Sequence, residues 1–331
     1  MRKLRIYGTL GPACENAEIL KQMLQEGMDG MRLNLSHTTL AEAAARIEAY
    51  HSAANACGLR PELLIDLQGP ELRIGPLATP ILLSTGEIID LEAIPLPDSV
   101  RNVLAACPIG QELLLDDGKL LLQTDAASAA SSVRLRVVRG GRLESRKSVA
   151  LPGCAISTPA LTAQDRAQLR HARAYGVTAV MQPIVRGSED LLTLRQAMEE
   201  VGCGALRLLA KVENRAGMER LPELLPHCDE IVIARGDLGN SMQLWELPAA
   251  QKQIAKTCKA GGRAFMVVTQ MLDSMMHRPV PTRAELSDIF NAVLDGASSV
   301  MLTGETAVGD YPVLAIRYLV KTVREAEAYL G

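Results

Sequence analysis

The chain has 331 residues, 48% of them hydrophobic, with 35 lysines and arginines against 38 aspartates and glutamates. That length and balance suit one large barrel-type domain or two ordinary ones around a sizeable core, and exclude a disordered or fibrous polymer. A net charge of -3 supplies no basic field for a nucleic-acid backbone, and 3% aromatics leave no stacking platform for bases.

In chain order, eight short apolar runs stop abruptly at polar residues: Leu4–Tyr7, Met31–Leu35, Leu63–Leu67, Ala179–Val185, Leu206–Val212, Ile231–Ala234, Ala264–Val268 and Ser299–Leu302. Each is rich in Ile, Val, Leu or Met, as parallel strands covered on both faces are. Amphipathic stretches lie between or after them, predicting helices over Asn16–Glu26, Thr39–Cys57, Thr162–Tyr175, Ser188–Val201, Met218–Leu225, Pro248–Ala260, Thr282–Leu294 and Val313–Tyr329. Thr282-Arg-Ala-Glu285 has capping-box spacing, and Thr162-Ala-Gln-Asp165 is the same device with a shorter acid. Eightfold strand–helix alternation predicts an α/β fold, a (β/α)8 TIM barrel. An open doubly wound sheet is the other candidate, but no G-x-G-x-x-G follows the first strand.

From about Leu72 to Lys147 the rhythm breaks. β-like runs alternate with Pro95, Pro97, Pro108, Asp117-Gly118 and Gly140-Gly141, with no long helical pattern. We read this as a small β domain inserted after strand three, dividing the chain into 1–71, 72–147 and 148–331. An insertion at a βα loop is expected on the strand C-terminal face, as a lid over a site.

Seven cysteines form no C-x-x-C pair, so we expect reduced, mostly buried thiols of a cytoplasmic protein. No apolar stretch approaches the ~18 residues of a membrane span.

In barrels of this kind, function collects where strands finish. There the chain places Arg32, Asn34 and Ser36; Asp66; Lys211 and Glu213; Arg235 and Asp237; Thr269; and Glu305. A charge at the end of an apolar strand is costly unless paired or ligated. Lys211 and Glu213 share one face of their strand, because strand side chains alternate. With Asp237, Glu213 can hold Mg²⁺ or Mn²⁺ while Lys211 supplies positive charge to a substrate anion; a Lys–Glu pair closing the barrel top is the plainer alternative. Glycines flank the acid in Ala234-Arg-Gly-Asp-Leu-Gly239, freeing backbone amides for a carboxylate or phosphate; a plain turn is the alternative. Arg32, His37 and Arg73 offer phosphate contacts.

Eight ordered motifs then resemble the pyruvate kinase family: Thr9-Leu-Gly-Pro12, Met31-Arg-Leu-Asn-Leu-Ser-His37, Asp66-Leu-Gln-Gly-Pro-Glu-Leu-Arg73, Ala210-Lys-Val-Glu-Asn214, Ala234-Arg-Gly-Asp-Leu-Gly239, Thr269-Gln-Met-Leu-Asp-Ser274, Pro281-Thr-Arg-Ala-Glu285 and Thr303-Gly-Glu-Thr306. The resemblance runs from Thr9 to about Tyr329. It implies a barrel with a β lid that moves phosphoryl from phosphoenolpyruvate to ADP, with phosphoenolpyruvate/pyruvate and ADP/ATP as its partners. Lys211 would stabilise the phosphoryl and the enolate; Glu213 and Asp237 would ligate Mg²⁺ or Mn²⁺; backbone around Arg235 and Gly236 would hold the substrate carboxylate. Thr269 would lie where the enolate is protonated. Arg32, Arg73 and Lys147 would clamp phosphates, with His37 near the nucleotide. Asn34, Ser36, Asp66 and the Leu67 carbonyl match ligands of K⁺, and Glu71 occupies the position that accompanies K⁺ dependence.

Several positions depart from the family pattern. Gln68 stands for a lysine, Pro183-Ile184 replaces a Ser-Phe pair, Ala150 replaces an asparagine, and Asn240-Ser241-Met242-Gln243 replaces Val-Glu-Ile-Pro. The lid is short. The chain ends near the eighth helix, so we expect a compact member without the family's C-terminal domain, a monomer or a homodimer through barrel helices. A ligand-binding sensor without turnover, and an enolate-forming decarboxylase or lyase on a pyruvate-like substrate, are the competing expectations.

Overall fold

The structure is a computed structural model that describes residues 4–116, 118–125, 133–154, 156 and 158–331. Asp117, read from the sequence as part of a turn, lies outside the described residues.

The chain divides into two compact units, one of residues 1–69 and 160–331 and the other of residues 70–159. The first is a closed parallel barrel of eight strands: β1 Arg5–Thr9, β2 Gly30–Asn34, β3 Glu62–Asp66, β4 Ala179–Gln182, β5 Arg207–Val212, β6 Glu230–Ala234, β7 Ala264–Val268 and β8 Ser299–Met301. Closure comes from β1 pairing β8 through Arg5↔Ser299 and β2 through Tyr7↔Gly30. A Cβ at Gly30 would sit 2.7 Å from the Tyr7 ring, so glycine there lets the ring pack across the strand.

Outer helices carry the apolar stripes the periodicity predicts. In Ala17–Glu26 the buried Leu20, Met23 and Leu24 share one face, the Asn16 side chain caps the start, and Gly27 at φ 111° ends the helix. Both predicted capping boxes form, at Thr162/Asp165 and Thr282/Glu285. After β5 the single predicted helix is instead two short pieces, Arg215–Glu219 and Leu221–Leu224, the first capped by Asn214. The predicted fourth strand is also shorter. It stops at Gln182 because Pro183 has no N–H to donate and Ile184 turns to φ 51°.

The Thr282/Glu285 box gives a pH-dependent contribution to stability. The Glu285 carboxylate accepts from the Ser274 amide and hydroxyl at 2.7 and 2.6 Å, and from the Thr282 amide and hydroxyl at 2.7 and 2.8 Å. Burial pushes its pKa up, but these hydrogen bonds outweigh burial and hold it below the ordinary value. A lowered folded pKa stabilises fully above the unfolded value and less as pH falls through the folded one. Glu285→Gln should therefore cost about 1 kcal/mol at pH 7, on the scale of a lost cap. The gap from wild type should shrink below about pH 4, near the free glutamate pKa, as read from urea midpoints at pH 7 and about pH 3.

Strand alternation makes the barrel interior three layers. At the N-terminal end Arg5, Glu62, Arg207, Glu230 and Ser299 meet. The middle is an apolar plug of Tyr7, Leu64, Ala179, Met181, Leu209, Val232, Ala234, Met266, Val268 and Met301. Residues two further along the same strands, Asp66 and Lys211, form a second charged layer at the C-terminal end. The barrel is therefore filled, and its polar groups sit at its two ends.

The second unit holds a five-stranded antiparallel sheet in the order Val149–Ala150, Glu112–Leu115, Leu120–Thr124, Arg134–Arg139, Ile88–Asp90, and a separate antiparallel pair of Ile81–Leu83 with Gly141–Leu143. Its core includes Leu113, Leu115, Leu122, Leu135 and Val137. The unit runs beyond the 72–147 interval read from sequence, because Ser148 bridges Arg73, Val149–Ala150 pairs Glu112–Leu115 and Leu151 joins the core. It also contains a helix, Asp98–Ala106, burying Val100 and Leu104. The sequence reading missed it by taking Pro95 and Pro97 as loop punctuation, whereas Pro97 is the residue immediately before the first turn.

Candidate active site

The C-terminal charged layer is built on β2, β3 and β5. Register places Asn34 of β2 beside Asp66 of β3. Asp66, 1% exposed, accepts on Oδ2 from Arg32 Nε at 2.8 Å, Arg32 Nη2 at 2.6 Å and Lys211 Nζ at 3.1 Å. Lys211 Nζ also lies 2.7 Å from Glu213 Oε1, an ion pair off hydrogen-bonding alignment. The ammonium thus sits between two buried carboxylates.

The electrostatics follow from burial. Burial disfavours charge on Lys211, but Asp66 and Glu213 more than compensate and raise its pKa well above the ordinary value. Asp66 is held below its usual range: burial pushes it up, and Lys211 and Arg32 pull it further down. Glu213 goes the other way. Burial is the first cause, the Asp237 and Asp66 charges add to it against Lys211, and its pKa is pushed up to about 7. Three acids face two cations, Lys211 and Arg32, and are short of one positive charge.

That shortage is also visible atom by atom. Asp66 Oδ1 and Glu213 Oε1 are buried without a hydrogen-bond donor, whereas buried carboxylate oxygens are ordinarily satisfied. Asp66 Oδ1 thus has no donor and Glu213 Oε1 faces only the Lys211 ammonium, and carboxylate oxygens so placed suit a hard cation. Among the described residues no three His, Cys, Asp or Glu side chains converge enough to hold a metal alone, so a divalent ion here needs substrate or water oxygens as well. The residues present fit Mg²⁺ or Mn²⁺ at Glu213 and Asp237, and a monovalent cation at Asp66 Oδ1. Asp237 itself is exposed, in the first turn of Arg235–Asn240.

The Pro183-Ile184 departure is absorbed locally. With Ile184 at φ 51°, its N–H donates to Glu213 Oε2 at 2.6 Å and orients the carboxylate. Gly69, at φ 59°, packs on the Pro183 ring: a Cβ there would lie 2.4 Å from Pro183 Cγ. The amides of Gln68 and Gly69 both donate to Asp165, tying the exit of β3 to the capping box of the next barrel helix. The sequence reading took Asp165 only as a helix cap; its bracket on the β3 loop had no local signal, since the partners are 96 and 97 residues apart.

Arg235 is placed differently from a phosphate-gripping arginine. Its guanidinium pairs with Asp288 at 2.7 Å and donates to the carbonyls of Thr269 at 2.7 Å and Gln270 at 3.3 Å. Those two residues sit at φ 78° and 54°, a region costly for non-glycine residues. Arg235 therefore braces the strained loop with its side chain, leaving only its backbone for a ligand. Gly236 lets that backbone approach: a Cβ there would lie 3.0 Å from Thr269 Cγ2. Asp288, the anchor of the brace, was missed because nothing near it in sequence distinguishes it from an exposed helix acid. Glu305 likewise serves the frame, accepting from the Leu272 and Thr303 amides at 3.0 and 2.8 Å.

Of the K⁺ candidates, Asn34 Oδ1 accepts from the Ser36 amide at 3.1 Å, and the Leu67 amide donates to Met181. His37 is exposed just beyond β2. Arg73 and Lys147 belong to the second unit. There Arg73 pairs with Glu71 at 2.8 Å and donates to the Arg146 carbonyl, while Lys147 pairs with Asp116 at 3.0 Å. Ala150 is exposed in the short edge strand Val149–Ala150.

These features define a (β/α)8 barrel whose C-terminal strand ends gather a buried lysine, an arginine and three acids. The chain matches the family model described as pyruvate kinase, barrel domain, over residues 1–316. Curated relatives agree. A pyruvate kinase of Bacillus licheniformis is 35% identical over all of this chain and 58% of its own length. Those of Mycobacterium intracellulare and Aeropyrum pernix are each 36% identical, over 98% and 96% of this chain and 70% and 69% of theirs. The chain belongs to the pyruvate kinase family, and spans a little over half the length of the Bacillus relative. No helix among the described residues is long and apolar enough to cross a membrane.

Proposed function

We propose that this barrel transfers the phosphoryl group of phosphoenolpyruvate to ADP, yielding ATP and pyruvate. The carrying observation is Lys211, an ammonium fixed between Asp66 and Glu213 at the mouth of a filled barrel. In the reaction the bond from phosphorus to the enol oxygen breaks, a bond forms from phosphorus to the ADP β-phosphate oxygen, and the enolate takes a proton at carbon to become pyruvate. Little covalent work falls to the protein, so positioning and charge placement dominate.

Lys211 and Arg32 supply positive charge to the moving phosphoryl, and Lys211 to the enolate oxygen. Backbone at Gly236 and Asp237, beside Arg235, receives the substrate carboxylate, and the Arg235 brace fixes Thr269 on the face where the enolate is protonated. Glu213 and Asp237 hold Mg²⁺ or Mn²⁺, which when bound neutralises phosphoryl and enolate charge. Asn34, Ser36, Asp66 and the Leu67 carbonyl hold K⁺. His37 is assigned to the nucleotide. The working form is a cytoplasmic monomer or a homodimer through barrel helices.

A coupled pyruvate assay tests the reading. With Mg²⁺, phosphoenolpyruvate and either ADP or GDP, pyruvate should appear only when the nucleotide is present, and faster with K⁺. A metal-replete preparation that binds phosphoenolpyruvate but releases no pyruvate would refute the kinase and leave a sensor. Release of CO₂ from oxaloacetate without nucleotide dependence would point to the decarboxylase instead.

A further inference from the structure

Cys107 and Cys154, both in the second unit, bring their Sγ atoms to 3.4 Å although 47 residues separate them in sequence. Cys107 ends the helix Asp98–Ala106, and Cys154 closes a turn through its amide to the Leu151 carbonyl at 3.1 Å. The fold holds the two ends together. Gln111 donates from Nε2 to the Pro152 carbonyl at 2.8 Å and from its amide to Thr124 Oγ1 at 2.9 Å, and that hydroxyl donates to the Pro108 carbonyl at 2.7 Å. One short network therefore ties the residue after Cys107 to the residue two before Cys154.

Accessibility separates this pair from most other thiols. Cys14, Cys203, Cys228 and Cys258 are buried, whereas Cys107 and Cys154 are half-buried beside the exposed Pro108 and Gly153. A disulfide needs about 2.05 Å between sulphurs, so closure asks for roughly 1.4 Å of approach from the 3.4 Å contact.

We propose that Cys107 and Cys154 form an oxidisable dithiol site that accepts two-electron oxidants of the peroxide or low-molecular-weight disulfide class. With hydrogen peroxide, one thiol loses its proton and attacks the O–O bond, giving a sulfenic acid and releasing water. The second thiol then attacks that sulphur, a second water leaves, and the S–S bond forms: two thiols are oxidised and one peroxide is reduced to two waters. With oxidised glutathione, a mixed disulfide forms first and exchange with the neighbouring thiol releases two reduced glutathiones. The bond encloses the strands from Glu112–Leu115 to Val149–Ala150 in one loop, and a dithiol reductant reopens it. The site is independent of the phosphotransfer reading.

The test uses the whole reduced chain treated with one equivalent of hydrogen peroxide and, separately, with oxidised glutathione. Both arms should remove two of the seven titratable thiols, lower the mass by two hydrogens and yield a linked Cys107–Cys154 peptide; dithiothreitol should restore all seven. Cys107→Ser and Cys154→Ser should each lose the link and retain a stable mixed disulfide in the glutathione arm. Phenylarsine oxide, which needs adjacent thiols, should block the same pair in the wild type and neither single variant. A stable mixed disulfide on the wild type, linkage to a different cysteine, or no thiol loss in both arms would overturn the proposal.

Discussion

Lys211→Met should lower kcat for pyruvate formation by at least about a hundredfold, because a preorganised charge at a developing anion contributes on the order of 3–4 kcal/mol or more in a dry site. The structure supports so large an effect, since Lys211 is largely shielded from solvent, held in its charged form and fixed by two carboxylates. Removing it leaves Asp66 and Glu213 without their shared partner, so some stability should go as well. Lys211→Arg separates the two losses: it keeps a charge for Asp66 and should fold, but a planar fork cannot occupy the ammonium position between the acids, and turnover should still fall steeply. Activity within tenfold of wild type in a folded Lys211→Met would contradict the assignment.

The second large effect is expected at the opposite end of the barrel. Glu230, fully buried, binds Arg5 Nη2 at 2.9 Å, Arg207 Nη1 at 3.2 Å and Ser299 Oγ at 2.5 Å. Glu62 completes the network and accepts from the Tyr7 hydroxyl at 2.6 Å. Glu230→Ala leaves Arg5 and Arg207 sharing Glu62 alone, and because each arginine is about a quarter exposed the loss should approach, not exceed, the about 3–5 kcal/mol of breaking a fully buried pair. Against a typical 5–15 kcal/mol of total stability, that is enough to move a urea midpoint far, or to leave the chain partly unfolded. Turnover per folded molecule should stay near wild type, because the N-terminal face carries stability and the C-terminal face the chemistry. A midpoint change equivalent to less than about 1 kcal/mol would show that water already satisfies these arginines.

The contrast between the two ends explains what was legible in the sequence. Short apolar runs announce buried parallel strands, and alternation within β5 puts Lys211 and Glu213 on one face with no knowledge of the partner strands. The same alternation cannot say which residues of other strands face them. That Asp66, rather than Glu213 alone, is the counter-ion of Lys211 depends on the register of β2, β3, β4 and β5 around a closed barrel, which no local pattern encodes. Long-range braces were invisible for the same reason: Asp288 on Arg235, Asp165 on the Gln68 and Gly69 amides, the Ile184 amide on Glu213. The helix Asp98–Ala106 was lost to a different cause, two nearby prolines that read equally well as a loop or as a helix start.

The departures at Pro183 and Ile184 illustrate a further limit. Read residue by residue, they remove a hydroxyl and an amide beside the cation site. In the folded chain the turn they enforce delivers the Ile184 amide to Glu213, and Gly69 makes room for the proline ring. The carboxylate stays oriented with one oxygen undonated.

The central claim, that Lys211, Glu213 and Asp237 surround one bound divalent cation, is tested most directly by electron paramagnetic resonance of Mn²⁺ with the intact chain. One Mn²⁺ per chain should bind, tightened by phosphoenolpyruvate and weakened at least tenfold in Glu213→Gln and in Asp237→Asn. Equal Mn²⁺ affinity in wild type and both variants would contradict it.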